Sequence, residues 1–275
     1  MGTTLGTWTA YHGGAFRTSR VLPMSFTVAA DAYDRFMGRY SVPLAPLFAD
    51  HAGIAAAEHV LDVGCGPGAL TGELVRRVGA EAVTAVDPSE PFVEATRERH
   101  PGVRVEQSPA ESLPFADASF DAALAQLVVH FMRDPVGGLR EMARVTREDG
   151  VVAACVWDHA GGRGPVSVFW DAARSLDQEV VDESRLAGAR EGHLSELFSE
   201  AGLRVVDETP LEVAVEHETF ESWWEPYELG VGPAGDHVAR LDPGQRDALR
   251  ERCREMLPAA PFALTARAWS ARGTV

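Results

Sequence analysis

Val60-Leu61-Asp62-Val63-Gly64-Cys65-Gly66-Pro67-Gly68-Ala69-Leu70 carries an apolar run into a Gly-x-Gly-x-Gly turn and then into a helical pattern. Glycines serve where a backbone must turn sharply or approach a ligand with no Cβ in the way, and the helix start behind them offers N–H groups without intrahelical acceptors. A nucleotide-like ligand suits such a loop. The dinucleotide fingerprint sets its last glycine one residue later, as G-x-G-x-x-G, so that a pyrophosphate can sit on the helix N-terminus. Ala69 stands at that place here.

Outward from this loop the chain alternates. Apolar runs at 59–63, 82–86, 103–106, 120–125 and 151–157 are separated by helical patterns at 69–78, 91–99 and 135–146. Apolar strands spaced by helices of this length predict parallel strands joined by crossover helices, with both faces of the sheet covered. The fold class expected is therefore doubly wound α/β. Ahead of it, Tyr33, Phe36, Met37 and Tyr40 recur at helical spacing and a second helix is expected over 42–52, giving an N-terminal helical cover over 25–57. Residues 1–24 read as a disordered tail or as a start codon assigned too early. Residues 58–157 form the cofactor-binding core, and 158–275 supply the remaining sheet and an acceptor-pocket insertion, so that 25–275 is one domain. In that last part, helices are expected at 165–176, 193–201 and 243–256, extended segments at 203–206, 211–215 and 262–270, and an aromatic-rich stretch at 219–229.

The chain has 275 residues and a formal net charge of −16, from 41 acidic and 25 basic residues. That charge repels polyanions, so a nucleic-acid partner is disfavoured and a small-molecule client is favoured. All the basic residues are Arg, Lys and Asn are absent, and Ile54 is the one isoleucine, a bias attributable to GC-rich codons. Cys65, Cys155 and Cys253 offer neither a disulfide framework nor a zinc spacing, which points to a reducing cytosol and a cytoplasmic protein. The longest apolar run, 151–157, is far short of the roughly 20 residues of a membrane span, so no membrane is expected. The 9 histidines show no metal-ligand spacing, and no metal is expected. The acidic and arginine residues of 242–255 read as a solvated helix face.

The tight G-x-G-x-G loop preceded by Asp62 resembles motif I of the class I S-adenosylmethionine-dependent methyltransferases. Three further strings extend the likeness. Asp87 ends the strand after the loop, 19 residues past Gly68, and is followed by Pro88. Ala110-Glu111-Ser112-Leu113-Pro114-Phe115 with Ser119-Phe120-Asp121 resembles the family's Asp-Ala-x-x-Leu-Pro-Phe…Phe-Asp, with Pro109 where the family has its acid. Gln126-Leu127-Val128-Val129-His130, then Arg144-Val145 and Asp149-Gly150, resemble the fourth-strand exit and the turn before the fifth strand. The matches span about 30–156 and lie closest to the small-molecule branch that includes ubiquinone-biosynthesis-like enzymes, methyltransferase type 11. What the resemblance implies is a mostly parallel seven-stranded Rossmann-like sheet and S-adenosyl-L-methionine as cofactor. Asp62 and the turn Gly64, Cys65, Gly66 and Gly68 would hold the methionine end, and Asp87 with Pro88 the ribose. Ala110 would meet the adenine through its backbone, with Glu111 substituting for the missing acid. Gln126 and Leu127 would lie at the strand ends, and Tyr33 would come nearest the cofactor from the cover.

Each element also has a plainer reading. Asp87-Pro88-Ser89 can be a turn and helix cap, Leu113-Pro114-Phe115 core and turn, and the stripes Tyr33/Phe36/Met37/Tyr40 and Trp223/Trp224/Tyr227 ordinary core. Methyl transfer from a sulfonium is an in-line displacement in which the cofactor carries the activation and the protein aligns and desolvates. His130 is the candidate general base, because imidazole titrates near neutrality; alternatively it only shapes the pocket. The expected activity is methyl transfer to a small, apolar acceptor. A catalytically silent cofactor-binding or sensor module is the second reading and an NAD-dependent oxidoreductase the third. No oligomerisation motif is visible.

Overall fold

All four residues of strand β1 (Val60–Val63) are buried, as a strand covered on both faces requires. The computed structural model describes residues 30–54 and 59–275; the tail expected over 1–24 lies outside them. Around β1 the sheet is built from β2 (Val83–Asp87), β3 (Arg104–Gln107), β4 (Phe120–Gln126), β5 (Thr146–Trp157), β6 (Arg204–His217) and β7 (Phe262–Thr274). Their order is β3-β2-β1-β4-β5-β7-β6. β1 to β5 are parallel, and β7 runs antiparallel between β5 and β6. The order reverses between β1 and β4, the place where doubly wound sheets bind ligands at the carboxyl ends of their strands.

Helices α3 (Ala69–Val78), α4 (Glu90–Arg99), α5 (Pro135–Val145) and α7 (His193–Glu200) flank the sheet. Each apolar face is sealed by buried residues, among them Leu70 and Leu74 on α3 and Leu139 and Met142 on α5. Among the described residues, no helix is long and apolar enough to cross a membrane.

The N-terminal cover differs from expectation. α1 (Ala30–Tyr33), a π-helical turn (Asp34–Gly38) and α2 (Arg39–Ala52) form one continuous helical path with no break before Val42. Pro43 and Pro46 sit inside α2. A proline inside a helix costs on the order of 3 kcal/mol. Here the row Tyr40, Leu44, Phe48 and Ala52, buried at four-residue spacing, holds the helix together through both.

The two short extended segments expected at 203–206 and 211–215 are one 14-residue strand, β6, paired with β7 along its length except for a register shift at Val206. Pro210 lies within it. β6 is an edge strand, and an edge tolerates a proline because no further strand needs its missing N–H. Between β6 and β7 the chain inserts α8 (Phe220–Trp224), α9 (Gly232–Arg240) and α10 (Pro243–Met256), which pack with α6 (Ser167–Leu176) around Phe169, Trp224 and Tyr227. The two aromatic stripes meet in this cluster: Phe36 packs edge-on to Tyr227 at 5.0 Å. α10 is not wholly a solvated face, since Arg250 and Arg254 both reach Glu221 and lie over the Phe220 ring at 5.3 and 4.0 Å.

Candidate cofactor and acceptor site

At the carboxyl end of β1, the 1% exposed Asp62 accepts a hydrogen bond from Thr71 on α3 through Oδ2, at 2.6 Å, while its buried Oδ1 has no partner. Burial, reinforced by Asp87, pushes its carboxyl up to about 7. A buried carboxylate oxygen left unpaired is costly unless a ligand completes it. Gly64 follows at φ +73°, and a Cβ there would fall 2.4 Å from Val128 Cγ2, so the loop can pass beneath the β4 exit only without a side chain. The amides of Gly64 and Cys65 both donate to Val86 O, at 2.8 and 2.9 Å, which ties the turn to β2. The Cys65 thiol is buried and pushed up by that burial, so it lines the loop and is no nucleophile.

Gly66 donates its N–H to Asp87 Oδ2 at 2.9 Å, and a Cβ on it would meet nothing within 4 Å. Open space therefore lies beside the turn. Gly68 caps α3, and its carbonyl is 3.0 Å from His100 Nε2. Asp87, raised to about 6 by burial, also accepts from Ser89 N at 2.8 Å. The stretch is a turn ahead of α4, in which the Ser89 side chain makes no cap, and it places a second buried carboxylate beside the glycine loop. Pro88 is fixed by Gln107, whose side chain donates to its carbonyl at 3.0 Å. Tyr33 packs edge-on to Phe92 at 5.4 Å, and its phenol is pushed up by burial and by Asp87.

Ala110 is buried in the turn after β3. Glu111 Oε1 accepts from Arg133 N at 2.7 Å and from Asp134 N at 3.3 Å, so the side chain braces the loop ahead of α5. The Leu113 N–H donates to Glu141 and its carbonyl accepts from Arg144, which makes that string a pinned turn. At the β4 exit, Gln126 donates to Ser41 O at 3.0 Å and joins sheet to cover, with Oε1 unpartnered. Leu127 is held at φ +62°. A non-glycine residue in that region is uncommon and is often found at functional sites.

Beyond Leu127 opens a small cleft lined by Tyr33, Phe36, Met37, His130, Trp157 and the start of α9. His130 is buried with Nδ1 unpartnered, and burial followed by the neighbouring His159 pulls it well below its ordinary value. It is neutral at pH 7. His159 and Glu183 line the same cleft and were not predicted from the sequence. His159 lies just past the end of β5, where the strand-end rule could have found it; Glu183 lies in a connection with no motif. No group of three or more metal-binding side chains occurs among the described residues.

The methyltransferase domain family matches residues 61–154, about a third of the chain. The O-methyltransferase cnsE of Penicillium expansum is 34% identical over 187 residues, covering 65% of this chain and 60% of that protein. The malonyl-[acyl-carrier protein] O-methyltransferase of Pseudescherichia vulneris is 34% identical over 134 residues, covering 49% and 52%. The chain spans about half the length of the curated relatives it matches. Among solved structures, the YcgJ protein of Bacillus subtilis superposes with a TM-score of 0.54 at 22% identity over 84% of this chain and 97% of its own. Geranyl diphosphate C-methyltransferase from Streptomyces coelicolor, bound to S-adenosyl-L-homocysteine, superposes at 0.52 with 16% identity over 86% and 80%. At these identities the superpositions speak for the fold. Sequence match and sheet order agree on the extent of this core: residues 61–154, which match the methyltransferase domain family, run from β1 to β5 of the doubly wound sheet.

Proposed function

We propose that the chain transfers a methyl group from S-adenosyl-L-methionine to a small apolar acceptor held in the cleft beyond Leu127. The observation that carries the reading is the pair of buried carboxylates, Asp62 and Asp87, set at neighbouring strand ends around the glycine turn, with Asp62 Oδ1 unpaired. A cationic amino-acid end would complete Asp62, and ribose hydroxyls would compete with the Gly66 and Ser89 amides for Asp87. Ala110, in the turn after β3, would meet the adenine, and Gln126 and Leu127 would close the floor. Tyr33 would cover the ligand from α1. When bound, the cofactor supplies a methyl group already activated on sulfur, so the chain's own part is alignment and exclusion of water.

Tyr33, Phe36, Met37 and Trp157 give the cleft an apolar wall, and His130 gives it a polar point. The relatives' names cover different acceptors, from a malonyl thioester carrier to geranyl diphosphate, so no single one is carried over. A cytoplasmic location is part of the same reading and rests on the three buried free cysteines.

The fold alone does not dictate the chemistry, since one structural neighbour, at TM-score 0.52, is the [4+2]-cyclase SpnF. The test is therefore double. Titration calorimetry should show S-adenosyl-L-methionine and its demethylated product binding, with NAD binding far more weakly or not at all. A labelled-methyl assay across apolar phenols, enols and carboxylic acids should then show transfer. Tighter binding of NAD would overturn the cofactor assignment, and cofactor binding without transfer to any class would leave a binding module instead of an enzyme.

A further inference from the structure

Buried polar atoms without partners are rare in folded proteins, and each calls for an explanation. Three of those in the described residues, His130 Nδ1, His159 Nε2 and Trp157 Nε1, belong to side chains that line the one cleft. The two imidazoles are neighbours, with ring centroids 6.0 Å apart. Their surroundings differ. His130 has no carboxylate beside it; burial and His159 both oppose its charging. His159 has two: Glu183, with Oε1 4.0 Å from His159 Nε2, and the adjacent Asp158. Glu183 is itself fixed, because Oε2 accepts from Trp170 Nε1 at 2.7 Å, and its side chain is only 8% exposed. Asp158 is likewise held, accepting from Gly161 N at 2.9 Å. His237 of α9 stands behind Trp170, ring to ring at 5.5 Å.

An imidazole that must gain a proton in a dry cleft needs a carboxylate to stabilise the resulting cation. We propose that His159, backed by Glu183, is the proton acceptor of the reaction, that His130 orients the acceptor by a hydrogen bond, and that the acceptor group is an acidic hydroxyl, a phenol or enol. This rests on the methyl-transfer reading above. The acceptor oxygen attacks the methyl carbon and the new O–C bond forms. The C–S bond breaks with its electron pair remaining on sulfur, and the hydroxyl proton passes to His159 Nε2, leaving an imidazolium facing the Glu183 carboxylate. A neutral imidazole can accept from a hydroxyl with a pKa of about 10, such as a phenol, as the O–C bond forms.

Long-range proton–nitrogen spectra of the full chain labelled with 15N-histidine would test the pair, with the two rings assigned from His130→Gln and His159→Gln. His159 should titrate at higher pH than His130, and Glu183→Gln should lower the His159 midpoint by about one pH unit or more, while thermal melting and cofactor affinity stay near wild type. Gln keeps an acceptor for Trp170. The wild-type order alone decides the matter if the variant fails to fold: a His159 that stays neutral to as low a pH as His130 overturns the proposal, as does a midpoint unmoved by Glu183→Gln.

The second arm is methyl transfer to 1-naphthol and related phenols. His159→Gln and Glu183→Gln should each lower kcat at least tenfold with KM within about twofold and remove the acid limb of the pH profile. His130→Gln should mainly raise KM. Full kcat in His159→Gln with loss in His130→Gln would overturn the assignment. If the wild type transfers nothing to any acceptor, the transferase reading fails, and the titration still decides whether Glu183 tunes His159.

Discussion

Gly64 and Gly66 stand two residues apart in one turn and should respond differently to the same substitution. Gly64→Ala combines a left-handed φ of +73° with a methyl 2.4 Å from Val128 Cγ2, so strain and overpacking add. It should lose about 2–4 kcal/mol in urea denaturation and weaken the cofactor only as the loop shifts. Gly66→Ala, at φ +53° with nothing within 4 Å, should cost only about 1 kcal/mol. If its open side is where the cofactor lies, cofactor affinity should fall more than tenfold by calorimetry while the fold survives. A Gly66→Ala variant that binds S-adenosyl-L-methionine normally would place the ligand elsewhere. Both glycines, Asp62 and Asp87 were legible in the sequence because the strand–turn–helix pattern sets them at fixed places. Glu111 was not: its role depends on the amides of Arg133 and Asp134, which a linear reading does not bring next to it.

The element packed apart from the glycine loop is the aromatic insertion between β6 and β7. Trp224 on α8 is 1% exposed, stacks on Phe220 with centroids 6.3 Å apart, and sits in a cluster joining α6, α9 and α10 but not the glycine loop. Trp224→Ala should cost about 3–5 kcal/mol in thermal or urea unfolding. S-adenosyl-L-methionine affinity of the folded fraction should be unchanged, and an equal loss of both would show that the insertion and the sheet act as one site. The same contrast explains which elements the sequence made plain. α3 and α10 have the expected limits because turn residues and caps bound them, as the Asp242 and Gln245 capping box does for α10. α9 was not among the expected elements: Gly232, Pro233 and Gly235 at its start are poor helix formers, and what makes it helical is burial of Ala234 and Val238 in the aromatic cluster. The break expected before α2 failed for the same kind of reason, a tertiary contact overriding two prolines.

At the scale of the whole molecule, ionisable groups pull stability in two directions with pH. His51, His100, His130, His159, His217 and His237 are all lowered from 6.5 in the folded chain, chiefly by burial. The unfolded chain binds more protons at these sites below pH 6.5, so stability should rise from acid toward that pH. Asp62 and Asp87 act oppositely. Their folded values, about 7 and about 6, exceed the ordinary 3.8, so the folded chain holds their protons longer and stability is lost as pH climbs from about 4 to about 7. In the wild type the terms overlap, and a difference isolates the carboxyl. Asp62→Asn keeps the acceptor for Thr71 and cannot ionise, so its melting temperature relative to wild type should rise between pH 5 and about 7 and level off above that, the histidines cancelling. Cofactor binding should run the other way. A cationic ligand needs Asp62 ionised, so the rise in wild-type melting temperature produced by saturating S-adenosyl-L-methionine should grow over that interval and be small and nearly flat in Asp62→Asn. If the two proteins keep a constant separation with and without ligand, Asp62 does not titrate in this window, and its unpaired oxygen is not where the cationic end of the cofactor is held.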